Sequence, residues 1–187
     1  MRIVLLGAPG SGKGTQAALM VADLDLPHIS TGELLRAAVK AGSALGLQAK
    51  EVMDRGELVS DDIMLGLIEE RLSQEDASAG FILDGYPRTL AQADLLAEIV
   101  TDMESELDGV LYLKVPETVL VERILGRKRA DDKEDVIRQR LLIYRRQTQP
   151  LVEYYEQRGQ LIPVEGDRLI EEVAAVLLEA LGRKVDA

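Results

Sequence analysis

At 187 residues, with no cysteine and one histidine, the chain has room for one sizeable core but none for a disulfide framework, a thiolate nucleophile or a cysteine-bound zinc. A net charge of −11 excludes the broad basic face that nucleic acid or an anionic membrane requires, and 3% aromatics leave no stacking platform for single strands. No apolar run approaches the ~20 residues of a membrane span, and Ile3–Leu6 is too short for a signal core, so a soluble, cytoplasmic protein is expected.

The first element is Ile3-Val4-Leu5-Leu6, followed by Gly7-Ala8-Pro9-Gly10-Ser11-Gly12-Lys13-Gly14-Thr15 and the helix-like Gln16-Ala17-Ala18-Leu19-Met20. This is a strand, a glycine-rich loop and a helix start. Glycines at 7, 10, 12 and 14 let backbone N–H groups converge without obstruction, so the loop can wrap a phosphate at the positive end of the helix. Lys13 supplies a mobile charge for the outer phosphates. Gly7 to Lys13 fits the pattern G-x-x-x-x-G-K in its required context. The hydroxyl that usually follows the lysine is displaced from Gly14 to Thr15, which points to magnesium held through water rather than by a direct protein ligand.

Helix 13–24 leads to a short strand at 27–29, with His28 as a strand-edge residue outside the site. Ser30-x-x-Glu33 predicts a capping box opening a helix to about Val39. A second helix, about 44–54, ends at Gly56. Ser60-Asp61-Asp62 starts a helix with Ile63, Met64, Leu67, Ile68 and Leu72 on one face. Phe81-Ile82-Leu83-Asp84 reads as a buried parallel strand with a carboxylate at its C-terminal end. Thr89-x-x-Gln92 is a second capping box, before a helix to about 103 that turns Leu95, Leu96, Ile99 and Val100 inward. Gly109–Val115 is the next strand, and Pro116-Glu117 starts a helix carrying Val119, Leu120, Ile124 and Leu125 that Gly126 breaks. After a polar loop, 126–132, one long helix is expected over 133–157, with Ile137, Leu141, Tyr144, Leu151 and Tyr155 in the core. Leu161–Val164 is the last strand, and helix 169–181 puts Leu169, Ile170, Val173, Leu177 and Leu181 on one side.

This alternation implies an α/β protein with a parallel sheet covered on both faces and ligands at the carboxyl ends of its strands. Asp84 should then stand beside the phosphate loop, able to accept from magnesium-bound water. Arg36, Arg88, Arg123, Arg127, Arg129 and Arg140 fall at loop and helix-end positions of an otherwise acidic chain. Arg123 and Arg127 share a helix face and repel unless an anion lies between them. One phosphate loop holds one nucleotide, so these arginines, whose planar forks suit phosphoryl oxygens, suggest a second phosphorylated substrate and a reaction between the two.

From Met1 to the last helix the chain resembles the adenylate kinases of the nucleoside monophosphate kinase family. The motifs that carry the resemblance are Gly7–Thr15, Ser30-Thr31-Gly32-Glu33-Leu34-Leu35-Arg36, Gly56-Glu57-Leu58-Val59, Asp84-Gly85-Tyr86-Pro87-Arg88-Thr89 with Gln92, and Arg123-Ile124-Leu125-Gly126-Arg127 with Arg129 and Arg140. The resemblance implies the P-loop nucleoside monophosphate kinase fold: a five-stranded parallel sheet in a single domain, with core 1–29, 60–125 and 133–187, an AMP-binding insertion 30–59 and a short lid 126–132. The lid of many bacterial relatives has some thirty-odd residues and often a metal site; the short form here implies no zinc.

The activity implied is magnesium-dependent, reversible transfer of the terminal phosphoryl group of ATP to AMP, giving two ADP, in nucleotide homeostasis and purine salvage. By the resemblance, Gly10, Ser11, Gly12, Lys13, Gly14, Thr15, Arg127 and Gly166 contact ATP. Thr31, Arg36, Glu57, Leu58, Val59, Gly85, Tyr86, Pro87, Arg88, Gln92, Arg129 and Arg140 contact AMP. Lys13, Arg88, Arg123, Arg127, Arg129 and Arg140 act on the phosphates, and Asp84 orients hydrated magnesium. The family holds Tyr86–Pro87 cis and works as a monomer on small nucleotides. A UMP/CMP kinase shares the fold; a GTP-driven switch would need an Asn/Thr-Lys-x-Asp motif, which is missing. A binding protein without turnover stays open at this level.

Overall fold

In the computed structural model, residues 1–127 and 133–182 are described, Arg127 by its backbone alone. Five strands run in chain order as β1 (Arg2–Gly7), β2 (His28–Ser30), β3 (Phe81–Asp84), β4 (Gly109–Lys114) and β5 (Leu161–Glu165). They form one sheet in the order β2-β3-β1-β4-β5, every pair parallel. The strands are apolar on both faces because both are covered. In β1, Val4 and Leu6 point to one layer while Ile3 and Leu5 point to the other, and Phe81, Leu83 and Ile82 in β3 divide in the same way.

On the side of Ile3 and Leu5 pack α1 (Lys13–Leu24), through Ala17, Met20 and Leu24, and α9 (Ile170–Ala180), through Val173, Leu177 and Leu178. The opposite layer holds α4 (Asp61–Leu72), through Met64, Ile68 and Leu72, α5 (Leu90–Asp102), through Ala93, Leu96 and Val100, and α8 (Pro150–Gln157), through Leu151 and Tyr155. Each reads as an apolar stripe at helical spacing. Between β2 and α4, α2 (Thr31–Ala41) and α3 (Ala44–Asp54) pack on one another. Their approach is close: a Cβ on Gly46 would lie 2.0 Å from the Ala38 carbonyl oxygen. A third apolar cluster joins α6 (Glu117–Arg127) to α7 (Glu134–Ile143) through Leu120, Ile124, Ile137 and Leu141. Among the described residues no helix is long and apolar enough to cross a membrane.

Four expectations need correction. The run 133–157 is not one α-helix: a π-helical segment, Tyr144–Thr148, separates α7 from α8. Such a bulge widens the turn and re-aims the side chains on it. Helix α6 continues through Gly126 to Arg127, and Leu125 is half exposed, because only the Leu120–Ile124 stripe faces α7. Ser30 precedes α2 but its side chain makes no cap; it is the last residue of β2, fixed opposite Asp84 by the sheet register. Leu169 and Ile170 are 68% and 50% exposed rather than inward; Ile170, at the start of α9, lines a cavity instead of the core.

Candidate active site

The carboxyl ends of the strands open into a cavity of about 760 Å³. Its floor is the turn from β1 into α1. Gly10 and Gly12 there have φ of +85° and +99°, a left-handed backbone that glycine adopts without strain. Any Cβ on Gly10 would also lie 2.8 Å from the Leu120 carbonyl oxygen, so α6 packs directly on the loop. Gly12 caps α1, no side chain closes that end, and no acidic residue stands in its first turn. The positive end of the helix therefore faces the cavity. Lys13 Nζ donates to the carbonyls of Gly7 (2.7 Å) and Ala8 (3.1 Å), so the side chain folds back along the loop.

Asp84 ends β3, level with Leu5 and Ser30. Its Oδ2 lies 3.8 Å from where a Cβ on Gly14 would be and 3.7 Å from His28 Nε2. Burial works against its ionisation, but His28, Lys13 and Arg88 together outweigh burial and hold its pKa below the ordinary carboxylate value. Asp84 thus sits within electrostatic reach of the loop lysine on one side and Arg88 on the other. His28, set aside at the sequence level, proves to be its neighbour. Nothing in the linear pattern signalled that contact, which the pairing of β2 with β3 creates.

Across the cavity stand Arg36 from α2, Arg88 from the turn after β3, and Arg140 from α7. Burial depresses the Arg88 pKa, Asp84 opposes this, and Arg140 and Arg36 depress it further, so the three guanidiniums are close enough to repel. Arg88 is held at several points. Its Nε donates to the Gly85 carbonyl (2.8 Å), its backbone N–H donates to Gln92 Oε1 (2.7 Å), and its carbonyl accepts from Thr148 Oγ1 on the π-helical segment (2.9 Å). The Tyr86–Pro87 bond is cis, as the resemblance implies. A Cβ on Gly85 (φ +85°) would lie 2.6 Å from Thr31 Oγ1, which donates to the Asp84 carbonyl at 3.4 Å.

Thr89 caps α5 by accepting from the Gln92 N–H (3.2 Å), as expected, but the Gln92 side chain reaches back to Arg88 rather than to Thr89. Its Nε2 donates to Asp61 Oδ1 at 2.6 Å, and the residue is 1% exposed. Glu57, Leu58 and Val59 line the wall beside it, as do Gly85 and Pro87. The Tyr86 side chain instead turns into the apolar layer with Met64 and Ile68, where burial, Asp61 and Glu69 push its pKa to about 12.

At the other end, Arg123 Nη1 donates to the Gly166 carbonyl (3.0 Å) and Nη2 lies 3.9 Å from Asp167 Oδ1. Arg123 therefore has an internal counter-charge, and the argument from its repulsion with Arg127 is weaker than the spacing suggested. Gly10, Ser11, Gly12, Gly14, Thr15 and Gly166 all line the cavity. Arg129 and the Arg127 side chain lie outside the described residues. Among the lining residues that escaped the sequence reading are Tyr144, Thr148, Arg168 and Ile170. Ile170 looked like the first core position of its helix, and its exposure was the missing signal.

The fold and this arrangement define a class: a P-loop protein of parallel α/β architecture with a second cationic end in the same cavity, suited to two phosphorylated ligands. The adenylate kinase family profile matches residues 5–160. An adenylate kinase of Xanthomonas euvesicatoria pv. vesicatoria (strain 85-10) is 54% identical over 187 residues, covering 98% of this chain and 100% of its own length. One from Xylella fastidiosa (strain 9a5c) is 53% identical over 186 residues, 97% of this chain and 100% of its own. The chain belongs to the adenylate kinase family, with the nucleoside monophosphate kinase fold.

Proposed function

We propose that the chain is an ATP:AMP phosphotransferase, moving the terminal phosphoryl group of ATP to AMP to give two ADP. The observation that carries the mechanism is that Asp84 lines one cavity together with Lys13 of the phosphate loop and Arg88 of the arginine cluster, and feels the charge of both. The Gly10–Thr15 turn and Lys13 hold the donor's outer phosphates. Arg36, Arg88 and Arg140 hold the acceptor's phosphate, whose oxygen attacks the transferred phosphorus as the bond to the donor's bridging oxygen breaks. No covalent group from the protein is needed; the charges position both reactants and stabilise the equatorial oxygens.

The residues present fit a hydrated Mg²⁺, because an ionised Asp84 beside Gly14 can accept from water on the ion. Bound with ATP, Mg²⁺ would neutralise charge on the phosphates. Arg123 and Gly166 lie on the donor side; the short lid expected at 126–132, with Arg127 and Arg129, falls largely outside the described residues. Thr31, Glu57 to Val59 and Gln92 enclose the acceptor base, and segment 30–59 closes to exclude water. The charge of −11 supports a protein that takes small nucleotides rather than nucleic acid or membrane, and the same reading has it act as a cytoplasmic monomer.

An ADP-coupled assay with MgATP and the four monophosphates AMP, CMP, UMP and GMP tests the assignment. AMP should have the highest specificity constant; a lead for CMP or UMP would replace this reading by a pyrimidine kinase, and no turnover with any would replace it by binding alone.

A further inference from the structure

Gln92 is almost wholly buried, and both ends of its amide are committed. Its oxygen accepts from the Arg88 backbone N–H at 2.7 Å, and its nitrogen donates to Asp61 Oδ1 at 2.6 Å. A peptide N–H can only donate and a carboxylate can only accept. Rotating the amide by half a turn would set nitrogen against the N–H and oxygen against the carboxylate, so two contacts would become repulsive together. The orientation of the amide is therefore dictated by chemistry, and Asp61, the first residue of α4, is one of the two groups that dictate it.

An amide nitrogen has two hydrogens and an amide oxygen two lone pairs, so one of each is left for a ligand. Bases differ in the order in which they present partners for such a pair. Adenine carries an amino donor at position 6 beside a ring acceptor at position 1, whereas guanine and hypoxanthine carry an oxygen acceptor at 6 beside an N–H donor at 1. A freely turning amide could satisfy either order; a locked one satisfies a single order and is left unpaired by the other. Cytosine has the same order as adenine, so the lock distinguishes amino from oxo bases and leaves ring size to the walls of the cavity.

We infer that Asp61 is a positioning residue that locks the Gln92 amide and thereby makes the acceptor site select an amino-purine monophosphate over an oxo-purine one. This rests on the reading above in which Gln92 faces the acceptor base. Asp61→Asn keeps the size of the side chain but can meet the Gln92 amide with either its oxygen or its nitrogen, which leaves the Arg88 N–H as the one group still setting the orientation and so loosens the lock. Asp62→Asn, one residue on in the same turn, removes a comparable charge and has no bond to Gln92, so it controls for the helix N-terminus.

The experiment measures kcat/KM with MgATP for AMP, CMP, IMP and GMP in the wild type, Asp61→Asn, Asp61→Ser, Asp62→Asn and Gln92→Ala, with a thermal melt of each. In Asp61→Asn the AMP:IMP and AMP:GMP preferences should fall by about tenfold, the worth of a bond to a charged group, while AMP:CMP changes by less than about threefold. Asp62→Asn should leave all the ratios as in the wild type. Asp61→Ser, whose hydroxyl also donates or accepts, serves the same purpose if the asparagine variant does not fold. If both folded variants of Asp61 keep the wild-type AMP:IMP ratio while Gln92→Ala loses it, Asp61 does not position the amide and the inference falls alone. If Gln92→Ala itself keeps the ratio, Gln92 does not face the base, and the reading beneath the inference fails as well. In the free protein, the side-chain amide proton signals of Gln92 should move in Asp61→Asn and stay in place in Asp62→Asn; coincident signals in all three would also overturn the lock.

Discussion

Replacing Arg88 by methionine should separate activity from stability. The structure sets the two effects against each other. The change removes the Nε–H bond to the Gly85 carbonyl, worth about 1.5–3 kcal/mol because the donor is charged. It also removes a partly buried cation whose charged form is disfavoured first by burial and then by Arg140 and Arg36, with Asp84 as its only opposing influence among those resolved. The terms nearly cancel, and methionine keeps most of the volume. The melting temperature should stay within about 4 °C of the wild type, since 1 kcal/mol shifts a domain of this size by about 2–4 °C. Turnover should fall by about 10³–10⁵, the usual worth of an arginine on the transferring oxygens. Ligand-induced stabilisation checks the cause: saturating AMP at about 100 times its Kd should add about 2.7 kcal/mol to the wild type and little to the variant. An Arg88→Met protein that is folded and within tenfold of wild-type kcat/KM would refute the placement of this arginine on the acceptor phosphate.

Lys13→Met should lower kcat by at least about 10³ with the fold retained, read by circular dichroism beside the coupled assay, because Lys13 lies on the phosphate loop at the cavity rather than in the apolar core. Asp84 has a folded pKa below its unfolded one, so its contribution to stability is present above the ordinary carboxyl value and is lost as pH falls through the lower folded value. Asp84→Asn should therefore melt below the wild type at pH 7, with the gap closing below about pH 4; a gap that stays constant to pH 3 would count against it. Thr148→Val deletes the hydroxyl that donates to the Arg88 carbonyl while keeping shape, and should cost about 1 kcal/mol of stability and lower kcat severalfold with ATP affinity unchanged in a calorimetric titration.

How much of this was legible in the sequence differs between scaffold and site. Strands β1, β3, β4 and β5 were readable because each is a short, mainly apolar run bounded by glycine, proline or a charge, and a sheet covered on both faces leaves no alternation to confuse the reading; β2, His28–Ser30, was marked only by Pro27 before it. The phosphate turn was readable because local sequence alone makes it. Contacts between distant segments were not: His28 meets Asp84 only because β2 pairs with β3, and Asp61 meets Gln92 only because α4 lies against α5. The π-helical segment at Tyr144–Thr148 keeps a nearly helical spacing of apolar residues, so its pattern merges with those of its neighbours. Ile170 failed for a different reason. A stripe of apolar residues fits a core face and an apolar cavity rim equally well, and periodicity cannot tell them apart.

Reading the acceptor base and holding its phosphate share a bond. The Arg88 N–H that fixes the Gln92 oxygen belongs to the same residue whose guanidinium faces the cavity, and the Arg88 carbonyl is tied in turn to Thr148. A base that draws the Gln92 oxygen toward itself, or repels it, acts on the Arg88 peptide and so on the aim of the guanidinium at the end of the same residue's side chain. Discrimination should then be expressed in the chemical step as well as in binding, since a misplacement of about 1 Å in a phosphoryl-transfer site costs up to about 10² in rate. Single-turnover transfer measured with saturating GMP should be slower than with saturating AMP by about tenfold or more, and the deficit should shrink in Gln92→Ala, where that bond is gone for both substrates. Equal single-turnover rates at saturation would mean that base selection ends at binding and that the shared peptide transmits nothing to the phosphate.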